Sequence, residues 1–489
     1  MKKSIVIGAG IAGIATSIRL AKKGYAVEVY ESNAYAGGKL SAFSSEGFRF
    51  DAGPSLFTMP QYVDALFELC DEDPRAHFTY HKKEIGCEYF WPDGTRLTAY
   101  SDQNRFLQEV EEKLNVAPTV VKKYLARAKE KFDLTAELFL ENSLHRWETF
   151  LTKNTIKALA RLPLFELNKS LAKVNTAQLK EPHLVQFYNR FATYNGSSPF
   201  QTPGIMTLVQ HLESEYGTFI PEGGMEQISQ SLFQLAKRQG VKFYFNQKVT
   251  EILHTKNEVT AVMVNKQKLL ADVIVSNMDI FPTYRYLLPK AKAPEKILAQ
   301  ERSSSAVIFY WGIQKQFPAL DLHNIFFSED YQAEFNAIFN EHTLYDDPTI
   351  YVNITAKDVP SDAPKGCENW FVMINTPADY EQDWETDIVS LRTKVLDKLE
   401  KRLNTSIRSH IVTEEVLTPP MIETKTQSHL GALYGASSNN KMAAFWRHPN
   451  FSREFNNLYF CGGSVHPGGG IPLCLLSAKI VSDQLASLT

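Results

Sequence analysis

"SIVIGAGIAGIATSIRLAKKGYAVEVYE", residues 4–31, carries a short apolar run, glycines at 8, 10 and 13, a helical pattern and a second apolar run ending in an acid. Ser4 to Ile7 reads as a strand; Ile14, Ile18, Leu20 and Ala21 then mark one face of a helix. Between them the glycines have the G-x-G-x-x-G spacing, which is informative only with a strand before it and a helix after it. Both are here. Gly8 permits the tight turn, and Gly10 lets a pyrophosphate lie against the backbone. Ile11 and Ala12 open a helix whose unpaired N–H groups and dipole favour an anion. Gly13 lets helix and strand close together, and Glu31 is placed to accept from ribose hydroxyls. The stretch predicts an α/β chain with a Rossmann-type domain that binds an adenine dinucleotide.

The chain of 489 residues is long enough for a sizeable core and two domains. A formal net charge of −3 gives no basic field of the kind nucleic acid requires. Five cysteines form no C-x-x-C pair and no H-E-x-x-H occurs, so no metal is expected. The odd cysteine count suits reduced thiols and a cytoplasmic setting. The basic start is too short on apolar residues for a signal peptide, and no apolar run approaches the ~20 residues of a spanning helix. "GGSVH", 462–466, lacks the final glycine of a nucleophile elbow, which argues against Ser464 as a hydrolytic nucleophile.

The other end of the chain returns to glycine: "NNLYFCGGSVHPGGGIPLCLLSA", 456–478. A strand runs into Gly462 and Gly463; after Gly470, Ile471 and Pro472 start the last helix. The expectation is that this helix N-terminus faces a redox ring, with glycines where side chains would collide with it. Turn, helix and alternating strand also recur near 219–254. The cofactor domain is therefore expected to be discontinuous, at 1–80, 216–279 and 436–489. Residues 81–215 and 280–435 form the expected substrate and membrane-facing domain.

"GGKL" at 37–40, "FDAGPS" at 50–55, "FIPEGGM" at 219–225 and "HPGGGIP" at 466–472, in this order, resemble the bacterial phytoene-desaturase-like family of carotenoid desaturases. The likeness spans essentially the whole chain and is greatest to the hydroxycarotenoid 3,4-desaturases. The resemblance implies a flavin amine oxidase-like architecture and FAD as cofactor. It implies that Gly38, Lys39, Pro54 and Ser55 hold FAD and that Val249 offers its backbone to the adenine. The family usually has Arg at Lys39; lysine keeps the charge and loses the bidentate fork. No second G-x-G-x-x-G marks a nicotinamide site, so oxygen or a quinone is the expected electron acceptor.

Such a reaction needs a positioned C–C bond, a hydride acceptor and exclusion of water rather than a triad or a metal. No residue is identified as the base; Arg190, Tyr194 and Asn195 are the candidates for polar groups at the substrate. The implied reaction is 3,4-desaturation beside a tertiary 1-hydroxyl, with a buried polar partner for that hydroxyl expected within Arg190 to Thr202. Other readings of the same scaffold are a phytoene-type desaturase, a carotenoid isomerase, an amine or porphyrinogen oxidase, and a non-catalytic prenyl-lipid escort. A C40 polyene must be collected from a bilayer, since each buried CH₂ is worth about 0.8 kcal/mol. Residues 145–174 mix Trp147, Phe150, Leu151, Ile156, Leu159, Leu162, Leu164 and Phe165 with Arg146, Lys153, Lys157, Arg161, Lys169 and Lys173. This reads as a basic amphipathic helix for peripheral attachment to the inner face of an anionic membrane.

Overall fold

The computed structural model describes residues 1–489 except 151–154, 156, 159–160, 441–444 and 489, and the side chain of Trp147. The opening apolar run is the strand Lys3–Ile7, the centre of a five-stranded parallel sheet. Its neighbours are Val273–Ser276 and then Leu458–Phe460 on one side, and Ala26–Tyr30 and then Lys242–Tyr244 on the other. Both faces of this sheet are covered, as its unbroken apolar strands require. Val6, Val29 and Val275 face the helices Ile11–Lys22, Glu226–Arg238 and Ile471–Asp483 through Ile14, Ile18, Leu232 and Leu475. Ile5, Ile7 and Ile274 point the other way, onto Val249, Ile252 and Val262 of a small antiparallel sheet.

The second large layer has seven strands in the order Ile411–Leu417, Ser305–Ile313, Glu368–Thr376, Ile350–Asn353, His323–Phe326, Ile85–Phe90 and Arg96–Tyr100. Its pairs are antiparallel, save the parallel contact of His323–Phe326 with Ile85–Phe90. Alternation along the strands divides its faces. Phe309, Trp311, Val352, Trp370 and Val372 pack against Leu391, Val395 and Leu399 of the helix Trp384–Leu403. Ile308, Tyr310, Phe371, Met373, Tyr351, His323 and Ile325 face the opposite way, into a large cavity.

Residues 145–174 do not form the single amphipathic helix that their pattern suggests. Trp147–Phe150 and Leu162–Phe165 are separate 3₁₀ turns, and Glu166 takes a left-handed conformation. Pro163 lacks the N–H a continuing helix needs, and the Ser170 side chain caps a new helix, Leu171–Leu179. Phe165 is buried; Phe150 and Leu162 are 42% and 47% exposed. Leu151, Lys153, Ile156 and Leu159 lie outside the described residues. Among the described residues no helix is long and apolar enough to cross a membrane.

Candidate functional site: a glycine-walled cavity between the two sheets

The glycine turn sits at the carboxyl edge of the parallel sheet, where ligands of open α/β sheets bind. Gly8 has φ +93° and its N–H donates to the Tyr30 carbonyl at 2.8 Å. A Cβ on Gly13 would stand 2.2 Å from the Gly8 carbonyl, so that glycine serves helix–strand closure behind the cavity wall. A Cβ on Gly10 would meet Asn277 Nδ2 at 2.7 Å. Gly37 N–H donates to Ala9 O at 2.8 Å, and Gly38 lies so near that its Cβ would be 3.3 Å from Gly10 Cα. Glu31 is buried at the end of the second strand. Its Oε2 accepts from Ala9 N–H at 2.7 Å and its Oε1 from Asn33 N–H at 2.8 Å, which fixes the carboxylate at the cavity wall.

Two of the paired motifs turn out to be one device. The Asp51 carboxylate accepts from the N–H groups of Met225 (2.9 Å) and Glu226 (3.2 Å), and from Arg49 at 2.9 Å. The acid of "FDAGPS" thus caps the helix that follows "FIPEGGM", and neither motif holds its shape alone. Pro54, Ser55 and Val249 line the same cavity. Lys39 lines it too, but its ammonium donates to the Leu433 carbonyl at 3.0 Å, and burial lowers its pKa.

At the far end of the chain the glycines are crowded by the protein as much as by any ring. A Cβ on Gly462 would lie 2.9 Å from Asn277 Oδ1, on Gly463 3.2 Å from Gly469 Cα, and on Gly469 2.9 Å from the Tyr434 ring. Gly470 differs: at φ +104° its Cβ would point into open space. Buried Arg447 holds the loop by donating to the carbonyls of Tyr434 (2.9 Å) and Ala436 (2.8 Å). Burial pushes its pKa down to about 10. Ile471 and Pro472 begin the last helix at the cavity wall.

Neither the first helix nor the last has a side-chain cap at its N-terminus, and both open on the one cavity. Uncapped helix N-termini need an external acceptor. With the glycine cradle and the anchored Glu31, these residues fit a flavin dinucleotide. The cavity has about 1150 Å³, beyond the roughly 300–1,000 Å³ of ordinary small-molecule pockets.

Arg190, Tyr194 and Asn195 all line this cavity. The first two also belong to a cluster of their own. Arg190 donates to Tyr194 at 3.1 Å and pairs with Glu213 at 3.4 Å, and the Tyr194 hydroxyl donates to the same carboxylate. Rings of Phe191, Tyr194 and Tyr89 surround the guanidinium at 4.5–5.3 Å. Glu213, Asn277, His323, Tyr351 and Arg447 are wall residues that sequence reasoning missed. Only Asn277 had a local signal, a polar residue following the parallel strand Val273–Ser276.

The chain belongs to the family of flavin containing amine oxidoreductases, whose model matches residues 11–486. Its cofactor is FAD. It is 55% identical over 485 residues to a 1-hydroxycarotenoid 3,4-desaturase from Flavobacterium sp., covering 99% of each chain. It is 34% identical to a 4,4'-diaponeurosporene oxygenase from Staphylococcus aureus, over 99% of this chain and 98% of that one. Among solved structures, cyclohexylamine oxidase from Brevibacterium oxydans shares the fold, with a TM-score of 0.62 at 15% identity over 99% of this chain and 98% of that one.

Proposed function

We propose that this protein is a carotenoid desaturase that removes two hydrogens from the 3,4 bond of an acyclic carotenoid end carrying a tertiary 1-hydroxyl. The observation that carries the reading is the single cavity joining the glycine cradle to a wall of aromatic and aliphatic side chains. Near-complete 55% identity to a protein of that name supports it. Residues 1–80, 216–279 and 436–489 form the cofactor unit in this reading, and 81–215 and 280–435 the substrate unit. Gly8, Gly10, Glu31 and Gly38 take the dinucleotide, and the N-terminus of the last helix faces the ring. Bound flavin supplies a hydride acceptor; a quinone or oxygen takes the two electrons afterwards. The chain's own part is to hold the bond in place, exclude water and give the polyene an apolar wall.

Leu144 and Phe445 line the cavity, and their neighbours His145 and Trp446 meet edge to face with ring centroids 5.6 Å apart. Trp446 is 45% exposed, as are Phe150 and Leu162 to a similar degree. We place the bilayer contact and the substrate entrance there. Vesicles of anionic lipid should retain the protein, and Trp446→Glu with Leu162→Glu should release it; unchanged retention removes this entrance.

The test of the reaction is anaerobic incubation of flavin-loaded protein with several carotenoids, following flavin bleaching and product mass. The expected product has lost two hydrogens and absorbs to the red. An oxygenated product, an isomer of unchanged mass, or equal kcat/KM on phytoene overturns the assignment.

A further inference from the structure

We infer that His323 is the residue that recognises the substrate's hydroxyl, by donating its Nε2–H to the hydroxyl oxygen at the substrate end of the cavity. This rests on the 1-hydroxycarotenoid reading above. The imidazole is 2% exposed and lines the cavity, and its Nε2 has no hydrogen-bond partner among the described residues. Buried donors are rarely left so, because an unpaired one forfeits its hydration.

The proton's place follows from the neighbours. Asn353 Nδ2 donates to the Leu322 carbonyl at 3.0 Å, which fixes which end of that amide is nitrogen. The same nitrogen lies 3.1 Å from His323 Nδ1, so Nδ1 accepts and Nε2 carries the hydrogen. Tyr351 clamps the ring from the other side, its hydroxyl 2.7 Å from Nδ1 and 2.9 Å from Ser55 Oγ. Ser55 belongs to the segment read as a cofactor contact, so the donor is tied to the cofactor wall through two hydrogen bonds. Burial above all, then the charge of Lys83, holds the imidazole pKa down to about 3, with Arg190 adding to the effect. At neutral pH the ring is an uncharged donor.

Other groups compete: Asn195 also lines the cavity, but it is only half-buried and is not a buried donor left without a partner. Arg190 has an unpartnered Nε, but its outer nitrogens serve Tyr194 and Glu213 and its plane lies among three rings. Thr202 Oγ1 is unpartnered and buried, yet does not line the cavity. The partner inferred here lies on a strand more than a hundred residues beyond the segment Arg190 to Thr202 in which the sequence reading expected it.

The experiment is internal competition: one flavin-loaded enzyme, a 1-hydroxy carotenoid and its analogue lacking the hydroxyl in one mixture, products separated by chromatography. The product ratio reports relative kcat/KM whatever fraction of the protein is folded. Wild type should favour the hydroxylated end by about 10⁴, the range of sites built around a polar contact. His323→Phe should lower the ratio about a hundredfold, to the ~10² that apolar shape alone supplies. His323→Gln keeps a donor in a different position and should give an intermediate ratio; if the Phe variant loses its flavin, the Gln variant decides. A variant ratio equal to wild type overturns the role of His323 while leaving the proposed reaction intact. A wild-type ratio near one overturns both this role and the 1-hydroxy substrate.

Discussion

The two ends of the cavity use polar groups in opposite ways. At the end lined by Arg190, Tyr194 and Glu213, these three bond to one another within a shell of aromatic rings and leave the Arg190 Nε as the unpartnered atom among them, so the trio offers a ligand little. At the cofactor end, the N-termini of the first and last helices are left without side-chain caps, and Glu31 is anchored yet still faces the cavity. The difference separates scaffolding from binding. A closed polar cluster costs least when complete and contributes stiffness; open donors and acceptors gain their partners only from a ligand. His323, beside that trio, keeps a buried Nε2 without a hydrogen-bond partner.

Breaking the open end should have the largest effect. Gly10→Val places carbon where the cofactor's pyrophosphate is expected, and its Cβ alone would stand 2.7 Å from Asn277 Nδ2. The expected outcome is purified protein without flavin, read from its visible absorbance; a fully loaded, yellow variant would place the dinucleotide elsewhere. Next comes the closed trio. Glu213→Ala leaves the buried Arg190 charge uncompensated and should cost about 3–5 kcal/mol of stability by chemical denaturation. The Arg190→Met, Glu213→Leu double variant should recover much of that loss, because the isolated charge has gone. A double variant as unstable as the sum of its parts would mean the trio is not a closed unit.

Glu31→Ala removes an anchored acceptor rather than filling the space. Flavin binding should weaken by about 1.5–3 kcal/mol, roughly ten- to a hundredfold in Kd by titration of the apoprotein. Unchanged affinity would remove Glu31 from the cofactor site. The smallest effect expected is none at all. His323 is held neutral down to about pH 3 by burial first, with Lys83 and Arg190 acting in the same direction and Asp321 against them. Substrate preference in the competition assay should therefore be flat from pH 5 to 8. A preference rising as pH falls through 6.5 would show an imidazole that gains a proton, and a charged rather than a neutral contact.

Much of the glycine-lined end of the cavity was legible because its determinants are local. Gly8, Gly10 and Gly13 lie within one turn, and the strand and helix around them carry their own hydrophobic periods. The motif at 466–472 was legible in the same way, but the packing around its glycines was not: Gly469 is crowded by Tyr434, whereas a Cβ on Gly470 would meet open space. The segment 145–174 misled because composition shows which residues are apolar or basic, but Pro163 and the Ser170 cap decide where a helix stops.

By itself, then, the sequence determined the strand–turn–helix of the dinucleotide fold and the strand-like and glycine-rich runs that recur near 219–254 and at 456–472, since each rests on a local pattern of glycines and apolar residues. Only the tertiary structure decided that Asp51 caps the helix after Gly224, that Glu213 closes on Arg190, and that His323 meets Asn353 and Tyr351 across adjacent strands. Strand alternation assigns a side chain to a face, but which neighbours share that face depends on strand order and register. Those are set by the packing of seven strands drawn from residues 85 to 417. No window along the chain contains that information, and it is there that a buried imidazole nitrogen is left without a hydrogen-bond partner.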